Sequence, residues 1–199
     1  DDNSQTKTDA KDARVIARLV KDGHYSSPRI LHDQEAELRV GANLRESLTQ
    51  EQGATKNKII RWLDRYFPEF RRVFPSFGKM AFAVMEQTPF PEDVNQYETD
   101  ELLALYRNSE GMKAPQRPKT EQLKEVARLS IGVTEGQQMA RIEIATLVRR
   151  YHQLEEEIET LTAKLTELVK TTVSFEYLQT VPGLGDATII DLLAETGDL

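Results

Sequence analysis

The sequence contains no cysteine among its 199 residues. Disulfide frameworks, thiol nucleophiles and cysteine-ligated zinc are therefore excluded. The three histidines, at positions 24, 32 and 152, are too scattered to predict a histidine-based zinc site. No apolar run approaches the roughly 18 to 20 residues that span a bilayer, and the first residues lack a signal-peptide pattern. These absences predict a soluble, most simply cytoplasmic protein with no membrane partner.

Positive charge is also scarce. The chain has 26 lysines and arginines against 33 aspartates and glutamates, which gives a formal net charge of −7. Such a balance argues against a protein that coats nucleic acid indiscriminately, although it allows a local basic face. The length is enough for one or two domains with a real core. Because the chain begins with Asp1 rather than methionine, we expect it to be a piece of a longer protein.

Apolar residues recur at spacings of three and four, and no stretch alternates as a β-strand does, so the sequence predicts an all-α fold. Gly41 and Gly53 are expected to weaken the longer early helix by roughly 1 kcal/mol each. Six prolines between 68 and 118 limit the middle of the chain to short helices. The predicted helices cover 9–20, 34–66, 79–87, 99–107, 119–130, 134–171 and 186–195.

The strongest periodic signal is a heptad seam within the predicted helix 134–171. Its spacings of 3, 4, 3, 4, 3, 4 and 3 favour a coiled coil that joins two or more copies of the chain. The alternative is packing within one chain, for which the helix 34–66 is the available partner. The seam consists of Ile144, Leu147, Tyr151, Leu154, Ile158, Leu161, Leu165 and Leu168.

A local excess of positive charge lies between 56 and 79, where seven basic residues face two acidic ones, for a net +5. Aromatic residues are interleaved with them, which suits base stacking and phosphate pairing, although we interpret most of the rings as core. We predict that the charges face solvent or nucleic acid. The candidate backbone contacts are Lys56, Lys58, Arg61, Arg65, Arg71 and Arg72.

Asp9 and Asp12 lie three residues apart, so one helical turn would place both carboxylates within reach of one hard cation. The simpler interpretation is a helix cap and a first-turn carboxylate favoured by the helix dipole. Two carboxylates do not complete a catalytic Mg²⁺ site, so any partners must come from elsewhere.

A Val-Pro-Gly-Leu-Gly turn at 181–185 joins two predicted helices. Backbone N–H groups of Gly183, Leu184 and Gly185 at a helix N-terminus can bind a phosphate oxygen, as in a helix-hairpin-helix. A plain glycine-rich turn explains the same pattern, and the acidic Asp186 beside it does not help phosphate binding.

Four stretches in chain order together resemble the insertion-sequence one-ten family of DEDD transposases. They are Asp-Ala-Lys-Asp-Ala-Arg-Val-Ile-Ala-Arg-Leu-Val-Lys-Asp-Gly at 9–23, Phe-Pro-Glu-Phe at 67–70, Thr-Pro-Phe-Pro-Glu-Asp-Val at 88–94, and Val-Pro-Gly-Leu-Gly followed by Leu-Leu-Ala-Glu-Thr-Gly-Asp at 192–198. The resemblance implies a RuvC-like α/β domain with four acidic Mg²⁺ ligands, a coiled-coil connection and a serine-bearing transposase domain. Members recombine DNA, in several cases guided by a structured bridge RNA.

By this resemblance, Asp9 and Asp12 correspond to the last two acidic ligands and are catalytic. The other Asp and the Glu are expected before Asp1, and the nucleophilic serine after Leu199. The implied domains are the end of the RuvC-like domain at 1–32, a helical middle region at 33–132, a coiled coil at 133–173 and the start of the serine-bearing domain at 174–199. We therefore expect the chain alone to be inactive.

Two other interpretations remain open. The chain could be a non-catalytic dimeric scaffold whose coiled coil and helix-hairpin-helix only bind nucleic acid. It could also be a metal-dependent nuclease in which Asp9 and Asp12 work with other acids of this chain, although the sequence shows no second acidic pair in a recognisable site.

Overall fold

The computed structural model describes residues 9–25, 33–109, 111–170 and 172–197, and the helices among them carry the architecture. No strand occurs in this described part, so the predicted all-α fold class is confirmed. The helices are α1 (Asp9–Lys21), α2 (Asp33–Tyr66), α3 (Phe70–Val73), α4 (Lys79–Gln87), α5 (Pro91–Asn95), α6 (Thr99–Arg107), α7 (Arg117–Arg128), α8 (Gln137–Val169), α9 (Val173–Gln179) and α10 (Asp186–Thr196).

The predicted helices are found within a few residues of their expected ends, and α4 and α6 match at both ends. The sequence pattern missed the short helices α3 and α5, and α5 is a five-residue helix that begins at Pro91. Proline suits the first turn of a helix because its missing N–H would have no partner there. The Asp93 carboxylate accepts a hydrogen bond from the Phe90 N–H at 3.1 Å and closes that turn.

The two long helices, α2 and α8, pack along each other and form the frame of the molecule. At 1.5 Å per residue each is roughly 50 Å long. Gly41 lies where they come close, because a Cβ there would lie 2.4 Å from Leu165 Cδ2. Gly41 weakens the isolated helix but allows α2 and α8 to approach each other closely. A Cβ at Gly53, in contrast, would meet nothing within 4 Å.

Two hydrophobic clusters form along this frame. The larger surrounds the carboxyl end of α2 and includes Trp62, Phe70, Phe90 and Ile144. The smaller joins the opposite end of α2 to α9 and α10 through Leu38, Leu165, Phe175, Ile189 and Leu193. Both clusters bury the apolar stripe that the helical periodicity predicted.

The residues of the heptad seam are covered within the chain. Ile144 and Leu154 are fully buried, Leu165 is 4% exposed, and the other five are half-buried. Ile144 and Leu165 belong to the two clusters that α2 also enters. The structure thus adopts the alternative in which α2 is the partner of the seam, and association between copies stays a prediction.

The larger cluster contains a buried hydrogen bond between two hydroxyl groups. The hydroxyl groups of Thr88 and Tyr106 lie 2.7 Å apart, and both residues are fully buried. Burial raises the pKa of Tyr106 well above its ordinary value of 10.0, the bond with Thr88 opposes this, and Asp93 adds to it. The phenol is therefore neutral in the folded protein.

Within the described residues, none of the helices combines the length and the apolar character needed to cross a membrane.

Candidate nucleic-acid interface

Three of the predicted basic residues, Lys58, Arg61 and Arg65, lie on one side of α2. At 100° per residue they fall within about 60° of each other around the helix. All three are exposed, whereas Ile59 and Leu63, on the other side of α2, are buried. Together with Trp62, Tyr66 and Glu143 they line a shallow depression of about 240 Å³.

The short helix α3 adds Arg71 and Arg72, both exposed. We call Lys58, Arg61, Arg65, Arg71 and Arg72 the cationic face. Since α3 begins four residues after α2 ends, all five positive charges lie within 15 residues of the chain.

None of these five residues forms an ion pair with an acidic side chain in the described part of the chain. Some arginines elsewhere are paired: Arg39 with Glu195 at 2.9 Å, and Arg141 with Asp93 at 2.7 Å. Arg45, Arg117 and Arg150 also have acidic partners. The cationic face thus keeps its charge available to an anion from outside the molecule.

The two acidic residues of the stretch affect this face differently. Glu69 is 7% exposed, and its carboxylate accepts hydrogen bonds from Ser130 Oγ at 2.5 Å and from the Ile131 N–H at 3.3 Å. Its charge is turned inward and engaged. Asp64 is exposed on α2 and lowers the local positive charge next to Arg61 and Arg65.

Lys56, which was predicted as part of the same basic surface, lies apart from the cationic face. Its position is about 160° around α2 from Lys58. Its Nζ lies 6.0 Å from the centre of the Phe77 ring. Lys79, the last basic residue of the stretch, donates a hydrogen bond to the Gly111 carbonyl oxygen at 3.3 Å.

The interleaved aromatic rings belong to the core, as we interpreted most of them. Phe67 and Phe70 are fully buried, and Trp62 donates from Nε1 to the Ala140 carbonyl oxygen at 3.0 Å. The Trp62 and Phe90 ring centres lie 5.2 Å apart. These rings are inaccessible to an unpaired base, so the cationic face offers backbone contacts without a stacking platform.

The turn at 181–185 joins α9 to α10 as the sequence predicted, with Gly183 in the left-handed region at φ +91°. Gly183 and Gly185 are exposed, and Leu184 N–H is used by a bond to the Val181 carbonyl oxygen at 3.2 Å. That bond removes one of the three predicted phosphate donors. Asp186 adds a negative charge in the first turn of α10.

The turn and the cationic face are built from different elements. α10 packs beside Leu38 and Ala42 near the start of α2, while the cations of the face begin at Lys58. Of the two predicted backbone-binding regions, the cationic face is the one with net positive charge.

Asp9 and Asp12 both lie in the first turn of α1, as their spacing predicted, and both are exposed. Carboxylates three residues apart on one turn fit two ligand positions of a hard cation. Within the described residues, no group of three or more histidine, aspartate and glutamate side chains is placed to hold a metal ion. The pair therefore fits part of a site rather than a complete one.

Sequence reasoning missed the segment 129–133, which we call the apolar tip. Leu129 and Ile131 are 76% and 85% exposed, the highest values among the exposed large hydrophobic residues of the described chain. The Val133 N–H donates to the Arg65 carbonyl oxygen at 2.9 Å, which joins the tip to the cationic face. No pattern signals this contact, because it links residues 68 positions apart in sequence.

Residues 1–68 match the family model of the DEDD transposases of IS110 elements, whose description is "Transposase". The predicted family resemblance is confirmed over this segment. The segment includes Asp9, Asp12 and the α2 part of the cationic face. The comparison with curated proteins gives no match.

Proposed function

Taking the chain as similar to IS110-type DEDD transposases over residues 1–68, we propose that it is part of an enzyme that cuts and rejoins DNA. In this proposal, the cationic face binds the phosphate backbone of nucleic acid. The proposal that the cationic face binds phosphates rests on one observation. Its five cations have no acidic partner among the described residues, while five arginines elsewhere are paired. Unpaired lysines and arginines release counterions when they bind phosphates.

Backbone contacts position a protein on nucleic acid without reading its sequence. Lys58, Arg61 and Arg65 span about 10 Å along α2, at 1.5 Å per residue. The buried rings of Trp62 and Phe70 leave the face without base stacking, so we propose that it contacts phosphates only. A structured guide RNA presents the same phosphate chemistry as DNA and is the second nucleic acid in this proposal.

Asp9 and Asp12 are proposed as two of the acidic Mg²⁺ ligands of the complete enzyme. A bound Mg²⁺ would polarise a scissile phosphodiester and neutralise charge that develops on its oxygens. The role of the two residues is to supply carboxylate oxygens from one rigid helical turn. The remaining ligands and the nucleophilic serine of the family pattern are proposed to come from other parts of the complete protein.

The backbone-binding proposal is tested by neutralising three cations of α2. We expect Lys58→Gln with Arg61→Gln and Arg65→Gln to weaken duplex DNA binding at least tenfold in a fluorescence anisotropy titration. The slope of log K against log salt should become shallower by roughly 2.7, because each phosphate that the protein neutralises adds about 0.9 to it. The assay uses the full 199-residue chain and several salt concentrations.

A matched control removes the same charge from α8 and the residue that follows it. Arg149, Lys164 and Lys170 are exposed and do not belong to the cationic face. Their replacement by Gln should leave the salt slope within about one unit of the wild-type value. Equal losses for the two triple variants would show that binding follows net charge rather than this face, and the proposal would be wrong.

A further inference from the structure

The apolar tip is unusual because two of its large apolar side chains, Leu129 and Ile131, are highly exposed on a segment that is firmly held. Leu129 and Ile131 follow directly after α7, and both protrude into solvent. Isolated exposed apolar residues are common on protein surfaces. Here, however, the two most exposed large apolar side chains of the described chain lie two positions apart in one short segment.

The backbone of the tip is fixed by four interactions with or around the end of α2. Glu69 accepts hydrogen bonds from Ser130 Oγ and from the Ile131 N–H. Gly132 N–H donates to Ser130 Oγ at 3.3 Å, and Val133 N–H donates to the Arg65 carbonyl oxygen at 2.9 Å. The exposure of the side chains is therefore a property of an ordered segment and not of a loose loop.

The chain also approaches α2 very closely at the tip. A Cβ at Gly132 would lie 2.1 Å from the Tyr66 carbonyl oxygen. Only glycine fits at this distance. The sequence Leu-Ser-Ile-Gly-Val therefore allows the backbone to pack against α2 while its apolar side chains stay exposed to solvent.

The tip lies beside one of the cations proposed to bind phosphate. Arg65 is bonded to the tip through its carbonyl oxygen, and the exposed Arg128 directly precedes Leu129. Exposed acids also lie near the tip along the chain, Glu125 before it and Glu135 after it. An apolar protrusion beside the cationic face complements a polyanion whose interior is apolar, and this is the chemistry of a nucleic-acid duplex.

We propose that the apolar tip is a wedge that inserts Ile131, supported by Leu129, between base pairs of duplex DNA held on the cationic face. This proposal deepens the proposed function, because it needs the phosphate backbone to be bound first. Aliphatic side chains inserted at a base step unstack it and kink the duplex, typically by about 20–90°. Single-strand binders use aromatic platforms instead, and the rings next to the cationic face are buried.

The wedge is tested with the full chain and a duplex of about 30 base pairs that carries a dye at each end and 2-aminopurine at central flexible steps. Wild-type protein should raise the 2-aminopurine fluorescence and the energy transfer between the dyes, because the base unstacks and the duplex bends. Leu129→Ala with Ile131→Ala should abolish both signals and weaken binding about five- to tenfold. Ile131→Met, which keeps an apolar side chain, should restore most of the unstacking.

The control is Val40→Ala, which shortens an apolar side chain that is 67% exposed on a distant part of α2. It should leave both signals unchanged. Tight binding by wild-type protein with neither unstacking nor bending would overturn the wedge while leaving the proposed function intact. Equal weakening of single-stranded DNA binding by the double variant would also overturn it. Failure of the wild-type chain to bind any duplex would instead remove the proposed function itself.

Discussion

Gly132→Ala is the sharpest test of how the apolar tip is seated. The added methyl carbon would lie 2.1 Å from the Tyr66 carbonyl oxygen and 2.7 Å from the Tyr66 carbonyl carbon. Both atoms belong to the backbone at the end of α2, where a buried aromatic cluster surrounds them. A normal contact between carbon and oxygen needs about 1 Å more than this distance. The segment must therefore move outward.

The cost of that movement follows from the bonds that it breaks. The hydrogen bonds of Val133 N–H to Arg65 and of Ile131 N–H to Glu69 are each worth about 1 kcal/mol. Glu69, a buried carboxylate, would lose part of its pairing, which adds roughly 1–2 kcal/mol. We expect the free energy of unfolding to fall by about 2–4 kcal/mol, which corresponds to a lowering of Tm by roughly 5–12 °C for a chain of this length.

The assay is urea and thermal unfolding followed by circular dichroism, with Gly53→Ala as the matched control. Nothing lies within 4 Å of a Cβ at Gly53, which is inside α2. That substitution should stabilise the protein by up to about 1 kcal/mol through helix propensity. If Gly132→Ala were as stable as the wild type, the close approach to Tyr66 would not exist in solution. The fixed backbone position on which the proposed wedge depends would then be wrong as well.

Two further predictions concern the core. Tyr106→Phe should lower the free energy of unfolding by about 1–3 kcal/mol, because it leaves the buried Thr88 hydroxyl without its partner. Burial raises the pKa of Tyr106, so its contribution to stability is complete below about pH 10 and is lost as the pH rises above that value. Wild-type protein should therefore lose stability more steeply than Tyr106→Phe above about pH 10, and parallel curves in alkaline urea titrations would contradict this. Leu154→Ala should cost about 2–5 kcal/mol at every protein concentration, since this seam residue is fully buried within one chain, while Ile142→Ala on the exposed side of α8 should cost little. A Tm that rises with protein concentration in the wild type but not in Leu154→Ala would show that the seam joins copies instead.

The helical architecture could be predicted from the sequence because the local spacing of apolar residues and the positions of the prolines determine it. Apolar residues at spacings of three and four fix the buried stripe of α2 and α8, and the prolines limit the middle of the chain to short helices. The clustering of positive charge around 58–72 is likewise a local property. Periodicity alone places Lys58, Arg61 and Arg65 on one side of α2 and separates Lys56 from them.

The motif that indicated the family is also local, since Asp9 and Asp12 lie in one turn of α1 and in the segment that matches the family model. These two carboxylates could supply two ligands of a metal ion. The metal site stays a prediction, and its completion needs further acidic ligands that no local pattern of this chain identifies.

The partner of the heptad seam was decided by the tertiary structure. A repeat of apolar residues requires a partner helix without specifying whether that helix lies in the same chain. The geometry assigns the role to α2, and the small Gly41 allows close packing against Leu165. A glycine that is costly in an isolated helix is thus explained by a neighbour 124 positions away.

The sequence by itself determined the helices, the excess of positive charge and the family resemblance, because each depends on residues that are near one another along the chain. Only the tertiary structure decided which of the described cations lack an acidic partner, that Glu69 faces inward, and that Ile131 stands exposed on a fixed backbone beside Arg65. These properties depend on contacts between residues about 60 or more positions apart. Ion pairs, burial and close backbone approaches of this kind produce no periodic pattern in the sequence.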